Sequence, residues 1–149
     1  MYGCADYTTY TRKMNAGYSG TPLAKKLGIK AGFTVATINP PANYQELLDP
    51  LPGDVTLAEK RQTGADLIHL FTNCRVELFA ELATAVREIK QDGMIWVSWY
   101  KKAARLPTEI TEDTIREAAF PLGLVDVKVC AVDDRWSGLK LVIRRENRV

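Results

Sequence analysis

The only histidine of the chain, His69, sits in an apolar run beside Leu67 and Phe71. An imidazole works as a general base where substrate can reach it, so an apolar setting favours a packed, hydrogen-bonded core residue. A metal centre has less support still, since one histidine with scattered cysteines and carboxylates gives no ligand spacing. Cys4, Cys74 and Cys130 are far apart, odd in number and lack a Cys-x-x-Cys pair. They read as three reduced, packed thiols rather than a zinc knuckle or disulfide framework. Asp133 and Asp134 precede a Ser-Gly turn and read as a loop-stabilising, solvent-facing pair before they read as an acid/base pair. Ser19 lacks the strand-Gly-x-Ser-x-Gly-helix setting of a hydrolase nucleophile. No catalytic residue is assigned on these grounds, and no metal or cofactor is expected.

A second group could bind rather than react. Lys101 and Lys102 follow Trp99-Tyr100 at the end of an apolar run, and Arg135-Trp136 lie in a polar turn. Two readings fit, a solvated charge run beside structural aromatics and a binding site. Trp96, inside its run, is expected in the core. Asn39-Pro40-Pro41 resembles the Asn-Pro-Pro-aromatic motif of amino-group methyltransferases, in which an amide and a carbonyl receive the target nitrogen. In that family the motif follows the fourth strand, whereas here it follows the first. Ala42 stands at the aromatic position and Tyr44 comes two residues later. A rigid strand-to-helix turn is therefore preferred, because proline sets backbone angles irrespective of catalysis.

These residues must be carried by regular elements. Thr21 can cap a short helix with Pro22 in its first turn and Gly28 at its stop. Residues 33–38 have the β-rich, apolar character of a buried strand that Asn39-Pro40-Pro41 interrupts, and Asn43 can cap a brief helix through Leu48. A short strand is expected near residues 55–58 and another over 66–71. Val76, Phe79, Leu82, Ala83, Val86 and Ile89 then form one apolar stripe at helical spacing, with Gly93 ending the helix. Residues 94–99 read as a strand, Thr111 as the cap of a helix to about Phe120, and residues 124–132 and 139–144 as strands joined by a hairpin turn over 133–138.

Composition bounds the whole. A chain of 149 residues suits one core, and 46% hydrophobic with 26% charged residues argues against global disorder. The formal charge of +2 provides no strong field toward nucleic acid or an anionic membrane, although a local basic cluster can still hold an anion. Apolar runs are strand-length and the start lacks a signal-peptide core, so a cytoplasmic location is expected. Residues 1–16 read as a polar tail and 17–149 as one domain. Deletion of residues 1–13 is expected to leave the fold intact.

Helices alternating with the first strands imply parallel pairing, and the tight final hairpin implies one antiparallel strand. This order resembles the class I methyltransferase fold over roughly residues 20–145, with Asp66-Leu67-Ile68 and Gly93-Met94-Ile95 where that fold often has similar sequences. The expected architecture is a three-layer α/β domain with a mostly parallel sheet of about six strands, a truncated methyltransferase-like Rossmann fold. The resemblance implies S-adenosylmethionine, but its spaced glycines after the first strand are replaced here by Thr37-Ile38-Asn39-Pro40-Pro41-Ala42. Only residues 59–65 separate the second and third strands, too few for the usual extra helix-strand-helix unit. Residues 17–28, residues 123–130 and Trp136-Ser137-Gly138-Leu139-Lys140 resemble a family of small uncharacterised bacterial proteins, a domain of unknown function. That resemblance implies no activity, catalytic residue or partner.

In an open parallel sheet ligands collect outside the carboxyl ends of the strands, near the point where strand order reverses. Tyr18, Ser19, Asn39, Thr72, Asn73, Trp99, Lys101, Lys102, Arg135 and Trp136 are expected at that end. Lys101, Lys102 and Arg135 should surround a shallow electropositive recess walled by Trp99 or Trp136. The leading functional reading is a non-catalytic binding or interaction protein for an anionic small molecule or a protein segment. The alternative is an atypical methyltransferase, or another transferase using a nucleotide-like ligand. A nucleic-acid role ranks third because there is no long basic stripe, and self-association is left open.

Overall fold

The computed structural model describes residues 21–58 and 62–149. The elements follow in the order α1 (Leu23–Leu27), β1 (Thr34–Ile38), α2 (Tyr44–Leu48), β2 (Thr56–Ala58), β3 (Ala65–Phe71), α3 (Arg75–Glu88), β4 (Ile89–Tyr100), α4 (Glu112–Ala119), β5 (Leu124–Ala131) and β6 (Trp136–Ile143). The strands form one sheet ordered β2-β1-β3-β4-β6-β5. β2, β1, β3 and β4 are parallel, while β6 runs antiparallel to both β4 and β5. Strand order reverses between β1 and β3, because the chain steps outward from β1 to β2 before returning to the other side of β1.

Alternation along the strands divides the core into two halves. On one face Ala36, Ile68, Leu70, Ile95, Val97, Leu139 and Leu141 pack against Leu78, Leu82 and Ala85 of α3 and Ile115, Ala118 and Ala119 of α4. On the other, Val35, Leu67, Phe71, Trp96, Tyr100 and Trp136 pack against Leu23, Ala24 and Leu27 of α1 and Tyr44 and Leu48 of α2. The domain is therefore three layers deep, as the alternating pattern predicts. Trp96 is completely buried, and its indole N–H donates to the Leu27 carbonyl at 2.9 Å, tying α1 to the sheet.

Several local expectations need correction. The first helix takes Pro22 as its N-cap, so the Thr21 cap shifts by one residue, while Gly28 ends it in the left-handed conformation at φ 84°. The buried side of α3 carries Glu77, Leu78, Leu82 and Ala85, and Val76 is 68% exposed. The expected stripe was thus rotated on the helix, pulled round by counting Val76 as core. α3 stops at Glu88, and Ile89 already pairs with Ala65, so β4 begins five residues before the expected start. Gly93 sits in the resulting irregularity between β3 and β4, where a Cβ would lie 2.7 Å from Ile89 Cγ1 and 2.9 Å from the Asp66 carbonyl oxygen. Close backbone approach, not helix termination, requires glycine there.

The last hairpin is tighter than expected, since β6 already starts at Trp136. Its turn is built by Asp133, which is 2% exposed and whose Oδ1 accepts the backbone N–H groups of Arg135 and Trp136, each at 2.8 Å. The loop-stabilising role holds, but Asp133 does not face solvent. Burial pushes its carboxyl above the usual range, against those two N–H donors. Cys130 is a free thiol, whereas Cys74 is disulfide-bonded, so the expectation of three reduced cysteines does not hold. The expected tail lies outside the described residues. Among them no helix is long and apolar enough to cross a membrane.

Candidate functional site at the carboxyl end of the sheet

Strand direction brings the ends of β1, β3 and β4 and the start of β6 to one edge of the molecule. The backbone there is tightly cross-linked. Thr72 N–H donates to Ser98 O at 3.0 Å, Lys101 N–H to Arg135 O at 2.9 Å, and Glu109 N–H to Asn73 O at 2.9 Å. Asn73 Oδ1 accepts the Tyr100 N–H at 2.7 Å, joining the ends of β3 and β4. Lys101 and Arg135 are therefore neighbours, as the topology predicts. The roles divide, however: Thr72, Asn73, Trp99, Arg135 and Trp136 are all buried, and of these only Trp99 borders the cavity described below. The Arg135 guanidinium lies over the Tyr100 ring, 5.3 Å from its centroid. Tyr18 and Ser19 fall outside the described residues.

A residue not anticipated from the sequence occupies the point of strand reversal. Glu77, only 6% exposed, stands in the first turn of α3, directly after β3. Its Oε2 accepts from Asn39 Nδ2 at 2.9 Å, and its Oε1 accepts from the Thr72 hydroxyl. Since Asn39 follows β1 and Thr72 follows β3, this carboxylate bridges the ends of the two neighbouring strands, whose following helices lie on opposite faces of the sheet. Asn39 holds φ 56°, a left-handed conformation that asparagine tolerates better than most residues. A glutamate at helical spacing reads as surface from sequence alone. The signal that could have found it is position, an acidic first-turn residue following a parallel strand beside the switch point.

The open space lies to one side of that bridge. A cavity of about 640 Å³ is lined by Trp99, Lys101, Lys102, Ile110, Thr111 and Arg116, among others. α4 enters it through a capping box in which Thr111 Oγ1 accepts the Thr114 N–H at 3.3 Å. Trp99 and Ile110 give it an apolar wall, but it is not simply electropositive. Glu112 and Asp113 also line it, and Arg116 is held by Glu112, Asp113 and Asp126 at 3.1, 2.9 and 3.1 Å. Those acidic partners raise the Arg116 guanidinium further above its usual value, Asp126 first. Arg135 and Trp136 do not line the cavity; the wall is Trp99.

The model of a protein family of unknown function, DUF3052, matches residues 45–145. The chain belongs to the DUF3052 family. Its match begins after the 17–28 stretch and after Asn39, but it includes Thr72, Glu77 and every residue named for the cavity. No curated protein sequence matches the chain. Among solved structures, this DUF3052 chain is similar to a SAM-dependent methyltransferase from Aquifex aeolicus at 15% identity and TM-score 0.58, covering 81% of this chain and 88% of that one. It is also similar to a precorrin-6y C5,15-methyltransferase from Geobacter metallireducens (13%, TM-score 0.54, 81% and 84%). A third similar chain comes from a Haloferax volcanii complex of the Trm112 methyltransferase activator with a putative methyltransferase (10%, TM-score 0.57, 83% and 87%). At such identities the likeness establishes the methyltransferase-like fold alone.

His69 of this DUF3052 domain is a core residue. It is fully buried, stacked on Phe71 at 4.1 Å, and bonded through Nδ1 to the Tyr44 hydroxyl at 2.8 Å and through Nε2 to Ser98 Oγ at 2.7 Å. Burial lowers its pKa to about 3 and pushes the Tyr44 phenol far upward, so both stay neutral at ordinary pH. The Ser-His contact has the spacing of an activated nucleophile, but Ser98 is itself completely buried and can meet no substrate. Among the described residues no group of three His, Cys, Asp or Glu side chains could hold a metal ion.

Proposed function

We propose that this domain is a non-catalytic binding protein that uses the cavity beside the end of β4, and that it does not use S-adenosylmethionine. The observation carrying this reading is the Asn39-Glu77-Thr72 chain of hydrogen bonds across the point of strand reversal. A cofactor resting on that crevice needs close backbone approach and N–H donors facing outward. A bridging carboxylate and the side chains of Asn39, Pro40 and Pro41 present instead a negative group and bulk, so the residues present do not fit the cofactor. A roomier cavity lies to the side of β4, β6 and α4. There Trp99 and Ile110 suit an apolar moiety, and Lys101 and Lys102 suit an anionic one. A ligand combining both, such as an aromatic or aliphatic carboxylate, fits best.

The test is a thermal-shift screen of small carboxylates and nucleotides against the full chain, repeated with Trp99→Ala and Lys102→Ala. A ligand that binds the native state raises Tm by mass action. An aromatic or aliphatic carboxylate should raise Tm, with the gain reduced in both variants. Gains that persist undiminished in both variants would contradict this reading.

One observation favours a second reading, an atypical transferase with a nucleotide-like ligand. A cleft of about 370 Å³ opens at the ends of β1 and β2, lined by Thr37, Pro40, Pro41, Tyr44 and Leu57 among others. Calorimetry showing stoichiometric, micromolar binding of S-adenosylmethionine would select that reading over the first.

A further inference from the structure

The layer formed by α1 and α2 covers β1, β3 and β4 but leaves the same face of β5 and β6 partly open. On it Lys128 and Lys140 are directly opposed partners in the β5–β6 ladder. Like charges directly opposite across a sheet destabilise it, so the pair is a cost that the fold alone does not explain. Two more lysines are brought to the same place from the end of α1. Lys26 Nζ donates to the Ala131 carbonyl of β5 at 3.1 Å, and Lys128 Nζ donates to the Lys26 carbonyl at 3.3 Å. These two bonds fix both ammonium groups and leave each with further N–H donors. Lys30 follows just beyond the helix.

Among the described residues none of these four lysines forms an ion pair with a carboxylate. Burial, then the neighbouring Lys128 and Lys30 ammoniums, hold the Lys140 ammonium below its usual value. Among the described residues, the charges acting on the half-buried Cys130 thiol are likewise positive, from Lys26, Lys128 and Lys101. We propose that the open face of β5 and β6, with Lys26, Lys30, Lys128 and Lys140, binds a small oligophosphate ligand at a place separate from the cavity beside β4.

The chemistry discriminates among anions. Lysine binds phosphate as a point charge, and no arginine fork selective for a planar carboxylate belongs to this group. Trp96, Tyr100 and Trp136 are all buried, so among the described residues this face has no aromatic platform for stacking bases. A protein that grips duplex nucleic acid typically neutralises roughly six to ten phosphates. Four lysines match a ligand with only a few. Such an anion would relieve the repulsion already built into the Lys128–Lys140 pair, which adds to its affinity without any rearrangement of the backbone.

The experiment is calorimetric titration of the full chain with inorganic tripolyphosphate at fixed ionic strength, repeated with a 20-base-pair DNA duplex. Stoichiometric binding of tripolyphosphate is expected, weakened at least tenfold in Lys128→Ala/Lys140→Ala and retained in Lys128→Arg/Lys140→Arg and in Lys102→Ala. The double alanine variant should melt no lower than the parent, since it removes a repulsion, so loss of binding is separable from loss of fold. Undiminished binding in that variant would overturn the assignment, as would loss of binding in Lys102→Ala, which would put the anion in the cavity. Duplex binding through these lysines without tripolyphosphate binding would also overturn it.

Discussion

Replacing His69 by phenylalanine keeps a ring against Phe71 but removes the central link of a buried hydrogen-bonded chain. The Tyr44 hydroxyl and Ser98 Oγ, now bonded at 2.8 and 2.7 Å, would be left in the core beside an apolar ring. Each unsatisfied buried hydroxyl costs about 1–3 kcal/mol, so His69→Phe should lose roughly 2–6 kcal/mol of unfolding free energy. That is a large share of the ~5–15 kcal/mol that holds a domain of this size together. Removing the orphaned hydroxyls as well, in Tyr44→Phe/His69→Phe/Ser98→Ala, should recover most of the loss, because replacing all partners by apolar groups is nearly neutral. Urea denaturation gives both numbers, with the midpoint shifting at constant m.

The pH dependence follows from the same burial. With its pKa near 3 in the folded chain against 6.5 when exposed, His69 binds a proton in the unfolded state that it refuses in the folded one. The corresponding stability is complete above pH 6.5 and is lost as pH falls toward 3, at about 1.4 kcal/mol per pH unit. His69→Phe should flatten that part of the profile. A parent whose stability is level between pH 6.5 and 4, or a triple variant no more stable than the single one, would refute the buried neutral chain.

Gly93→Ala should destabilise by about 1–3 kcal/mol, the usual cost of overpacking, because its Cβ would meet the Asp66 carbonyl oxygen at 2.9 Å; a change below 0.5 kcal/mol in chemical denaturation would mean that β3 and β4 are not so close. Thr111→Ala should cost about 1 kcal/mol through loss of the α4 cap, and Thr111→Ser should restore most of it, both read as shifts in urea midpoint. Glu77→Leu should cost about 1.5 kcal/mol, the lower end for bonds to a charged group, because the Thr72 hydroxyl keeps the Cys74 backbone as a partner and the exposed Asn39 amide can turn to water; a neutral result by thermal melting would show that the crevice is not bridged.

The strands were legible because burial on both faces of a central parallel sheet demands unbroken apolar runs. Residues 66–71 and 94–99 have no other use. The antiparallel ending followed from a loop too short for a crossover, and the missing strand from the short gap, residues 59–64, between β2 and β3. Less legible was anything decided by neighbours in space. Val76 and Leu78 are equally apolar, and only the sheet decides which one it covers. Thr72, Asn73 and Arg135 were placed at the correct end, yet direction of a side chain is set by its partners: Glu77, the Tyr100 N–H and the Tyr100 ring. Glu77 and the Lys128–Lys140 pair escaped notice for one reason. A charged residue at ordinary surface spacing shows nothing in sequence of the partner it bridges to or is forced to oppose.

The measurement bearing most directly on the central claim is a ¹⁵N-¹H correlation spectrum of the full chain titrated with S-adenosylmethionine and then with the carboxylate that raises Tm most in the screen. The account predicts no shifts at Asn39, Thr72 or Glu77 with millimolar S-adenosylmethionine, and saturable shifts at the Trp99 indole and the Lys102 and Thr111 amides with the carboxylate. Saturable, micromolar shifts at Asn39 and Glu77 with S-adenosylmethionine would contradict it.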